Sequence, residues 1–443
     1  MQLLDLGLGL RLPLILIVLY GGIVRVAPDE LSYINPQAWN DMLGHRKHGE
    51  GENGQDPIFW ATQKHSVMSA DRENHGRMRR IISHGFSAQS MLEQQPLIQG
   101  YVSLLIQRLR EHSKNGTQPL EMTSWYNWTT FDIIGDLAFG EPFGCLEKAD
   151  YHPWVSMVFG RVRGNTINTA LRRFPFGSRL SKFFMPAKVR RQFEAYYQIT
   201  VEKVGRRLAM ETPRHDFMEA MIKSEGKTKL SYLEILDNAS LLIVAGSETT
   251  ATTLSGLTYL LATHPQVLAK LEEEVRSTFA SEEEINLLSV QKMTYMFAVI
   301  NESLRIFPPV PTGFPKKTRP GGDTICGHLE ADRPQNFTLP DTFIPERWLG
   351  DARFAGDEQD IAFHPFLTGP RSCIGKNLAY AEMRLIVAKI IWNFDLSIHP
   401  SSQNWLDENK AYLLWDKPDL NVYLKPRVLD TDAQTSVDAV PTP

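Results

Sequence analysis

The chain has 443 residues, of which 42% are hydrophobic and 22% are charged, so it can bury a large core as one large domain or several smaller ones. A formal net charge of -4 gives no indication of a nucleic-acid partner. Cys145, Cys326 and Cys373 lie far apart, which argues against a disulfide framework and for a reducing compartment.

The two ends of the chain differ from its middle. Residues 1–19 form an apolar leader, but Arg11 and Pro13 leave its apolar run, which ends at Tyr20, shorter than the roughly 20 residues of a spanning helix. We therefore expect at most a shortened membrane anchor. A secretory signal peptide is the competing interpretation, although no clear small-residue cleavage site follows Tyr20. Residues 426–443 are polar, and we expect them to be a disordered tail.

Helical patterns and one apolar loop occupy the first half of the chain. A basic helical patch covers residues 71–80, and apolar periodicity predicts helices over 122–137 and 153–171. Alone, the basic patch is most simply a solvated helix face. Segment 172–189 carries Phe-Pro and Phe-Phe runs inside a basic rim. It is either a membrane-contacting or ligand-entrance surface or a well-packed connection, and the sequence favours neither.

A long apolar helix is predicted in the middle of the chain. Ser231 and Glu234 form a capping box, and the helical pattern continues to Thr263. Within it, Glu248 and Thr249 directly follow an apolar run, where polar groups are costly unless they are paired. In a structural interpretation the Thr249 hydroxyl bonds the carbonyl group one turn back and bends the helix. In a functional interpretation the bend is accepted because these groups do chemistry.

Cys373 is the residue around which the chain is organised. It lies in a glycine-broken loop, 366–375, before an apolar helix predicted over about 376–392, whose N-terminal N–H groups favour a thiolate. A nucleophilic cysteine needs a histidine base, and His364 has no evident third group to orient it. A zinc site needs clustered ligands. One lone thiolate is what haem iron takes as an axial ligand. A buried structural cysteine is the remaining alternative, which the nearby glycines and arginine disfavour.

This loop resembles the haem-binding loop of the cytochromes P450. That motif, F-x-x-G-x-R-x-C-x-G, is matched without substitution by Phe366, Gly369, Arg371, Cys373 and Gly375. The resemblance implies a mainly α fold with a smaller β-sheet region, in which haem b lies between a long central helix and the cysteine-loop helix. It also implies that Cys373 ligates the iron and that Arg371 pairs with a haem propionate. The two glycines would let the backbone pass close to the macrocycle.

The long central helix resembles the family's oxygen-activation helix. Its residues 245–250 match the motif A-G-x-[DE]-T-T. By this resemblance, the small Ala245 and Gly246 make room beside the iron. Glu248 and Thr249 are then the catalytic residues that guide protons to bound oxygen.

Two further charged elements resemble family motifs. His75 and Arg79 match H-x-x-x-R, a propionate-binding pattern, four residues apart on one helix face. Alone, Glu302 and Arg305 are most simply a surface ion pair of little energetic value. Together with Arg347 they match the E-x-x-R and P-E-R-W elements. The resemblance therefore implies a buried structural network that supports the cysteine loop without taking part in the chemistry.

The resemblance covers roughly residues 20–425 as one haem-thiolate catalytic domain, with 23–28 in its first strand. The family usually has a turn and further strands after 324–328, whereas here 329–332 lead directly into 333–337. We therefore expect a hairpin and a returning strand to be deleted near 329–332. Such a deletion would expose a sheet edge and leave backbone groups unpaired.

The function implied is a haem-dependent monooxygenase that inserts one oxygen atom of dioxygen into a hydrophobic small molecule, as in fungal secondary-metabolite biosynthesis. No dinucleotide-binding fingerprint or flavin domain is evident, so NADPH is expected to act through a separate NADPH-cytochrome P450 reductase. The expected location is the cytosolic face of the endoplasmic reticulum membrane. Two alternatives remain: an inactive or misfolded relative lacking part of the sheet, and a haem-thiolate isomerase or dehydratase that needs no reductase.

Overall fold

The computed structural model describes residues 23–27, 30–33, 35–46, 51–60, 65–174, 176–177, 187–211, 214–318, 324–325, 336–357 and 359–427. The helices in these residues are α1 (Gln37–Leu43), α2 (Arg72–Ile82), α3 (Ala88–His112), α4 (Met122–Phe139), α5 (Cys145–Lys148), α6 (Pro153–Arg172), α7 (Ala187–Leu208), α8 (Phe217–Ile222), α9 (Tyr232–Thr263), α10 (Pro265–Thr278), α11 (Thr294–Ile306), α12 (Gln359–Ala362), α13 (Lys376–Asn393) and α14 (Trp405–Glu408). The strands are β1 (Ile23–Ala27), β2 (Glu30–Tyr33), β3 (Gly54–Gln55), β4 (Leu120–Glu121), β5 (Lys316–Lys317), β6 (Thr324–Ile325), β7 (Phe394–Ile398), β8 (Lys410–Ala411), β9 (Trp415–Asp416) and β10 (Asn421–Pro426). The predicted fold class, mainly α with a smaller β region, is confirmed.

The strands in the described residues form three small sheets. The largest has the order β1-β2-β6-β5-β3, in which only the β2–β6 pair is parallel. A second has the antiparallel order β4-β10-β7, and β8 pairs with β9 as a hairpin. The predicted first strand is confirmed as β1. The leader, 1–19, and the deletion predicted near 329–332 lie outside the described residues.

The helix boundaries follow the local signals in the sequence. The predicted capping box is confirmed at the start of α9, where the Ser231 hydroxyl accepts from Glu234 N at 3.3 Å and Glu234 Oε2 accepts from Ser231 N at 2.7 Å. Helix α13 extends one residue beyond the predicted end. One predicted boundary is wrong at the C-terminus, because Pro426 belongs to β10 and Arg427 Nη1 donates to Trp392 O at 2.7 Å. Residues 428–443 of the predicted tail lie outside the described residues.

Helix α9 is the centre of the helical core. It packs along α4 and also contacts α11 and α13. Gly246 allows the close approach to α4, since a Cβ at this position would lie 2.9 Å from Ile134 Cδ1. Helix α13, which follows the cysteine loop, is buried on nearly all sides. These two buried helices fix the segments that carry the candidate site.

Among the described helices, none combines the length and the apolar character needed to cross a membrane.

Candidate cofactor site at the cysteine loop

The loop before α13 is held by its own backbone and by α1. Cys373 N donates to Phe366 O at 2.8 Å, and Ser372 N donates to Gly369 O at 3.1 Å. Gly369 has a φ of +73°, and a Cβ there would lie 1.9 Å from Leu43 O. The polypeptide therefore requires glycine at 369 for the turn and for the contact with α1.

Gly375 differs from Gly369. Its φ is -88°, and a Cβ there would meet only Phe86 Cε1, at an ordinary 3.6 Å. Nothing in the described polypeptide demands glycine at this position. Close passage of a macrocycle, the reason implied by the family resemblance, stays a prediction for Gly375.

Cys373 carries a free thiol, and the residue as a whole is exposed although the loop around it is largely half-buried. Burial raises the pKa of this thiol, whereas the N–H groups of Gly375 and Lys376 and the charge of Arg79 lower it. The predicted effect of the helix N-terminus is therefore present, but burial has the larger effect and the net shift of the pKa is upward. A metal ion deprotonates a thiol that coordinates it, and the dipole of α13 assists this deprotonation.

Two arginines anchor the loop: Arg79 reaches it from α2, and Arg371 reaches outward from the loop itself. Arg79 Nη1 donates to Ser372 O at 2.6 Å. Arg371 Nη2 donates to Glu52 Oε1 and to Ala70 O, each at 2.9 Å. Arg371 Nε and Nη1 are buried and have no hydrogen-bond partner in the described part of the chain. A buried guanidinium with two idle donors is costly unless an acceptor fills the space beside it.

His75 and Lys316 complete a cluster of basic residues beside Arg371. His75 is buried, and burial, followed by the charges of Arg371 and Arg79, lowers its pKa to about 4. Lys316 is also buried, and its Nζ donates to Gln55 Oε1 at 2.7 Å. Burial and the nearby Arg371 lower the pKa of Lys316 to about 8. The motif of His75 and Arg79 predicted their place in this cluster. Lys316 and Glu52 were not predicted, since single charged residues in short strands and loops form no recognisable pattern.

These residues fit haem. The free thiol of Cys373 would suit iron as a soft ligand, and the unpaired donors of Arg371 would suit a carboxylate such as a haem propionate. Burial and then the charge of Arg371 lower the pKa values of His75 and Lys316, and an added anion would offset the second of these causes. The donor set therefore matches the chemistry of the cofactor that the motif implies.

One face of α9 is open in the middle of the core. Ala245 is exposed although Ile243 and Ser247 on either side are buried, and Thr249 is half-buried one turn later. Thr249 Oγ1 donates to Ala245 O at 2.6 Å. This is the hydrogen bond to the preceding turn that the structural interpretation of Thr249 predicted. Gly246 lies against Ile134 of α4, so its small size serves helix packing in the structure.

Glu248 points in another direction from Thr249. It is only 1% exposed, and its Oε1 pairs with Lys417 Nζ. Thr252 Oγ1 donates to the same Oε1 at 3.3 Å, and Lys417 Nζ donates to Thr252 Oγ1 at 2.9 Å. Glu248 Oε2 is buried and has no partner among the described residues. The sequence did not predict this role of Lys417, because Lys417 lies 169 residues from Glu248 along the chain.

Glu302, Arg305 and Arg347 lie together and are fully buried. Arg305 donates to the two Glu302 oxygens at 2.9 and 2.8 Å, and Arg347 Nε lies 3.2 Å from both. Trp348 Nε1 and Ile344 N also donate to Glu302, at 2.9 and 3.0 Å.

A second carboxylate extends this network toward the cysteine loop. Arg347 Nη1 pairs with Asp357, whose Oδ1 accepts from Thr338 N at 2.7 Å. Gln359 Nε2 of α12 donates to Arg347 O at 2.7 Å. The sequence did not predict the role of Asp357, because this residue lies outside the E-x-x-R and P-E-R-W motifs. Helix α12 leads into the cysteine loop, so the network braces the chain at the start of that loop.

Comparison with known proteins agrees with this geometry. The cytochrome P450 family model matches residues 25–423. Trichothecene C-15 hydroxylase of Fusarium sporotrichioides is 46% identical over 425 residues, 92% of this chain and 86% of that protein. The cytochrome P450 monooxygenase astA of Talaromyces wortmannii is 43% identical over 92% of this chain and 85% of its own length. Averantin hydroxylase of Dothistroma septosporum is 41% identical, with 93% and 81% covered. The chain therefore belongs to the cytochrome P450 family, haem-dependent monooxygenases in which a cysteine thiolate ligates the iron and NADPH supplies electrons through a reductase.

Proposed function

We propose that the protein hydroxylates an apolar secondary metabolite, such as a terpenoid, polyketide or alkaloid scaffold. The observation that carries the proposal is the free Cys373 thiol beside Arg371, whose two buried donors lack partners in the described residues. The names of the similar fungal proteins, a trichothecene hydroxylase and an averantin hydroxylase, support the reaction type and the kind of substrate.

In this proposal Cys373 ligates the iron, and a set of surrounding residues binds the cofactor. These are His75, Arg79, Ala245, Gly246, Phe366, Gly369, Arg371 and Gly375. Haem bound there supplies the binding and reductive activation of dioxygen. Arg79 and Arg371 hold the propionates by charge-assisted hydrogen bonds. His75, whose pKa of about 4 keeps it neutral, contributes a hydrogen bond without a charge, and Lys316 adds a further cation.

Thr249 and Glu248 are proposed to move protons toward the oxygen-binding face of α9. Since the Thr249 hydroxyl donates its proton to Ala245 O, its remaining lone pairs are oriented to accept a hydrogen bond from a proton carrier. A Thr249→Ala variant should consume NADPH with less product and more peroxide. Thr253→Ala is the matched control, because Thr253 Oγ1 makes the same backward bond, to Thr249 O at 3.0 Å, one turn later.

Glu302, Arg305 and Arg347 are proposed to have a structural role. Their contacts are satisfied within the protein, so they hold the approach to the cysteine loop and do not touch the reacting atoms.

NADPH-cytochrome P450 reductase at the cytosolic face of the endoplasmic reticulum is the proposed partner and location. Phe174 and Phe176 support contact with a membrane surface or a hydrophobic ligand entrance, since these large apolar side chains are 67% and 70% exposed. Part of the predicted apolar loop, 178–186, lies outside the described residues.

Turnover with a defined redox partner tests this proposal against its alternatives. The full chain is reconstituted with the reductase and supplied with a panel of apolar scaffolds, first screened for a haem spectral shift on binding. A product heavier by one oxygen atom, formed only with both NADPH and dioxygen, is the expected result. A product that forms without NADPH would favour the isomerase or dehydratase, and soluble protein that retains no haem would favour the inactive relative.

A further inference from the structure

The Glu248 carboxylate is held by a closed triangle of polar contacts. Lys417 Nζ bonds both Glu248 Oε1 and Thr252 Oγ1, and Thr252 Oγ1 bonds the same Glu248 oxygen. The side chains of Lys417 and Glu248 are 3% and 2% exposed, so solvent screens this ion pair little. Two donors occupy Oε1, whereas Oε2 is buried without a partner among the described residues. The triangle therefore distinguishes the two oxygens of one carboxylate.

The backbone that carries Lys417 is itself anchored. Lys417 directly follows β9, where Trp415 Nε1 donates to Pro308 O at 2.7 Å. The Trp415 ring stacks on Phe307, with centroids 4.8 Å apart and planes at 19°. Phe307 in turn packs against Gly256 of α9. The lysine ammonium thus reaches Glu248 from a fixed point and holds it in one direction.

The hairpin formed by β8 and β9, which Lys417 directly follows, also contacts α6. Asp416 Oδ2 lies 3.7 Å from Arg163 Nη1 of α6, in a pair whose side chains are 52% and 55% exposed. Arg163 also lies over the Tyr412 ring, at 5.1 Å. Asp416 and Lys417 are therefore neighbours in sequence with different tasks, since one tethers the hairpin outward to α6 and the other reaches inward to Glu248.

We propose that Lys417 is a positioning residue for proton delivery, which rests on the proposed function of Glu248. Lys417 and Thr252 occupy Oε1, so that Oε2 is the oxygen left to exchange protons with a carrier. Without Lys417, the carboxylate loses its counterion and is free to rotate, and the direction of proton transfer is lost.

The test compares three hairpin variants in the haem-loaded enzyme. Lys417→Met keeps the length of the side chain and removes its charge, and Lys417→Arg keeps the charge. Asp416→Asn is the matched control, since it weakens the outward tether of the same hairpin and leaves Glu248 paired. Each variant is assayed with reductase and NADPH in the absence of any substrate, in H2O and in D2O. The quantities measured are the rate of NADPH oxidation and the peroxide formed per NADPH.

Lys417→Met should raise the peroxide formed per NADPH and slow proton-dependent turnover by about tenfold or more, since positioned proton donors contribute factors of about 100 to 10,000. It should also increase the solvent isotope effect. Lys417→Arg should restore most of the wild-type ratio, and Asp416→Asn should leave it unchanged. Equal peroxide ratios in Lys417→Met and Asp416→Asn would overturn the proposal.

Thermal unfolding of the haem-loaded proteins gives a readout independent of turnover. Lys417→Met should lower the unfolding midpoint because it leaves a buried carboxylate without its counterion. Adding Glu248→Gln should recover part of that loss, as expected for two residues in direct contact. An unchanged midpoint in Lys417→Met, or strictly additive losses in the double variant, would contradict the pairing. The reduced carbon monoxide spectrum of each variant tests the haem-thiolate site, so a failure of the Lys417 proposal is distinguishable from a failure of the proposed function.

Discussion

Two clusters of buried charge flank the approach to Cys373, and they differ in how completely they are paired. In the Glu302 network, both carboxylate oxygens accept several hydrogen bonds from Arg305, Arg347 and their neighbours. In the cluster around Arg371, two guanidinium donors are idle among the described residues and nearby basic groups have lowered pKa values.

This difference separates scaffold from binding site. A network whose donors and acceptors are all satisfied needs nothing more and serves to hold the chain in place. Buried donors without partners are costly, and under the proposed function an anionic ligand at Arg371 offsets that cost. The predictions below test this contrast, beginning with the largest expected effect.

Removing the charge of Glu302 should be the most damaging change. Glu302→Gln leaves two fully buried arginines short of a counterion, which costs about 3 to 5 kcal/mol of unfolding free energy. Soluble yield and thermal unfolding of the haem-loaded protein measure the loss. Glu346→Gln is the control, since Glu346 pairs with a Lys270 side chain that is 56% exposed, and it should cost less than about 1 kcal/mol. Similar losses in both variants would contradict the scaffold role.

A buried carboxyl without such partners should behave in the opposite way. Glu382 of α13 is buried, its Oε1 has no partner among the described residues, and burial raises its pKa to about 8. The folded protein therefore keeps this proton at pH values where the unfolded chain has lost it, so stability falls as pH rises from about 5 to 8.

Glu382→Gln removes this titration and should become more stable relative to wild type across that pH range. The gain is on the order of a few kcal/mol by pH 8, because each pKa unit corresponds to about 1.4 kcal/mol. Chemical unfolding at several pH values between 5.5 and 8.5 gives the difference. Parallel stability curves for the two proteins would show that Glu382 is not held neutral by the fold.

Changing Arg371 should affect haem more than the fold. Arg371→Leu removes at least one charge-assisted hydrogen bond, worth about 1.5 to 3 kcal/mol, so haem should dissociate at least roughly 10 to 100 times more readily. Transfer of haem to excess apomyoglobin measures this, and circular dichroism checks that helix content is kept. Arg353→Leu, at an exposed ion pair with Asp351, is the control and should retain haem like wild type. Loss of helix content without faster haem transfer would count against a binding role.

Substitutions at the two glycines of the loop should have the smallest effects, and the two variants should differ in whether folding or haem occupancy is affected. Gly375→Ala should change soluble yield and helix content little, since its Cβ meets only Phe86 at 3.6 Å, yet it should reduce haem occupancy. Gly369→Ala should reduce the yield of folded protein, because its Cβ would lie 1.9 Å from Leu43 O in a left-handed turn. Equal folding defects in the two variants would remove the argument that Gly375 is reserved for a ligand.

Local signals in the sequence were sufficient to predict where individual helices begin and end. The capping box of Ser231 and Glu234 predicted the start of α9, and the apolar pattern after Cys373 predicted α13 to within one residue. The cysteine-loop motif likewise indicated the family without any tertiary information.

Residues that join the site only through tertiary contacts were not predictable. Lys316, Asp357 and Lys417 are single charged residues in short strands or loops, and their partners lie on other elements. The net pKa shift of Cys373 was not predictable for a related reason. The sequence shows the helix N-terminus, which lowers the pKa of the thiol as predicted, but it does not show the burial, whose opposite effect is larger.

The ligand assignment is tested most directly by the spectrum of the reduced enzyme under carbon monoxide. The wild-type protein should give the red-shifted Soret band of a thiolate-ligated haem carbonyl, and Cys373→His should lose that band while it keeps the helix content of the fold. A red-shifted band that persists in Cys373→His, or its absence from soluble, haem-loaded wild type, would contradict the assignment of Cys373 as the iron ligand.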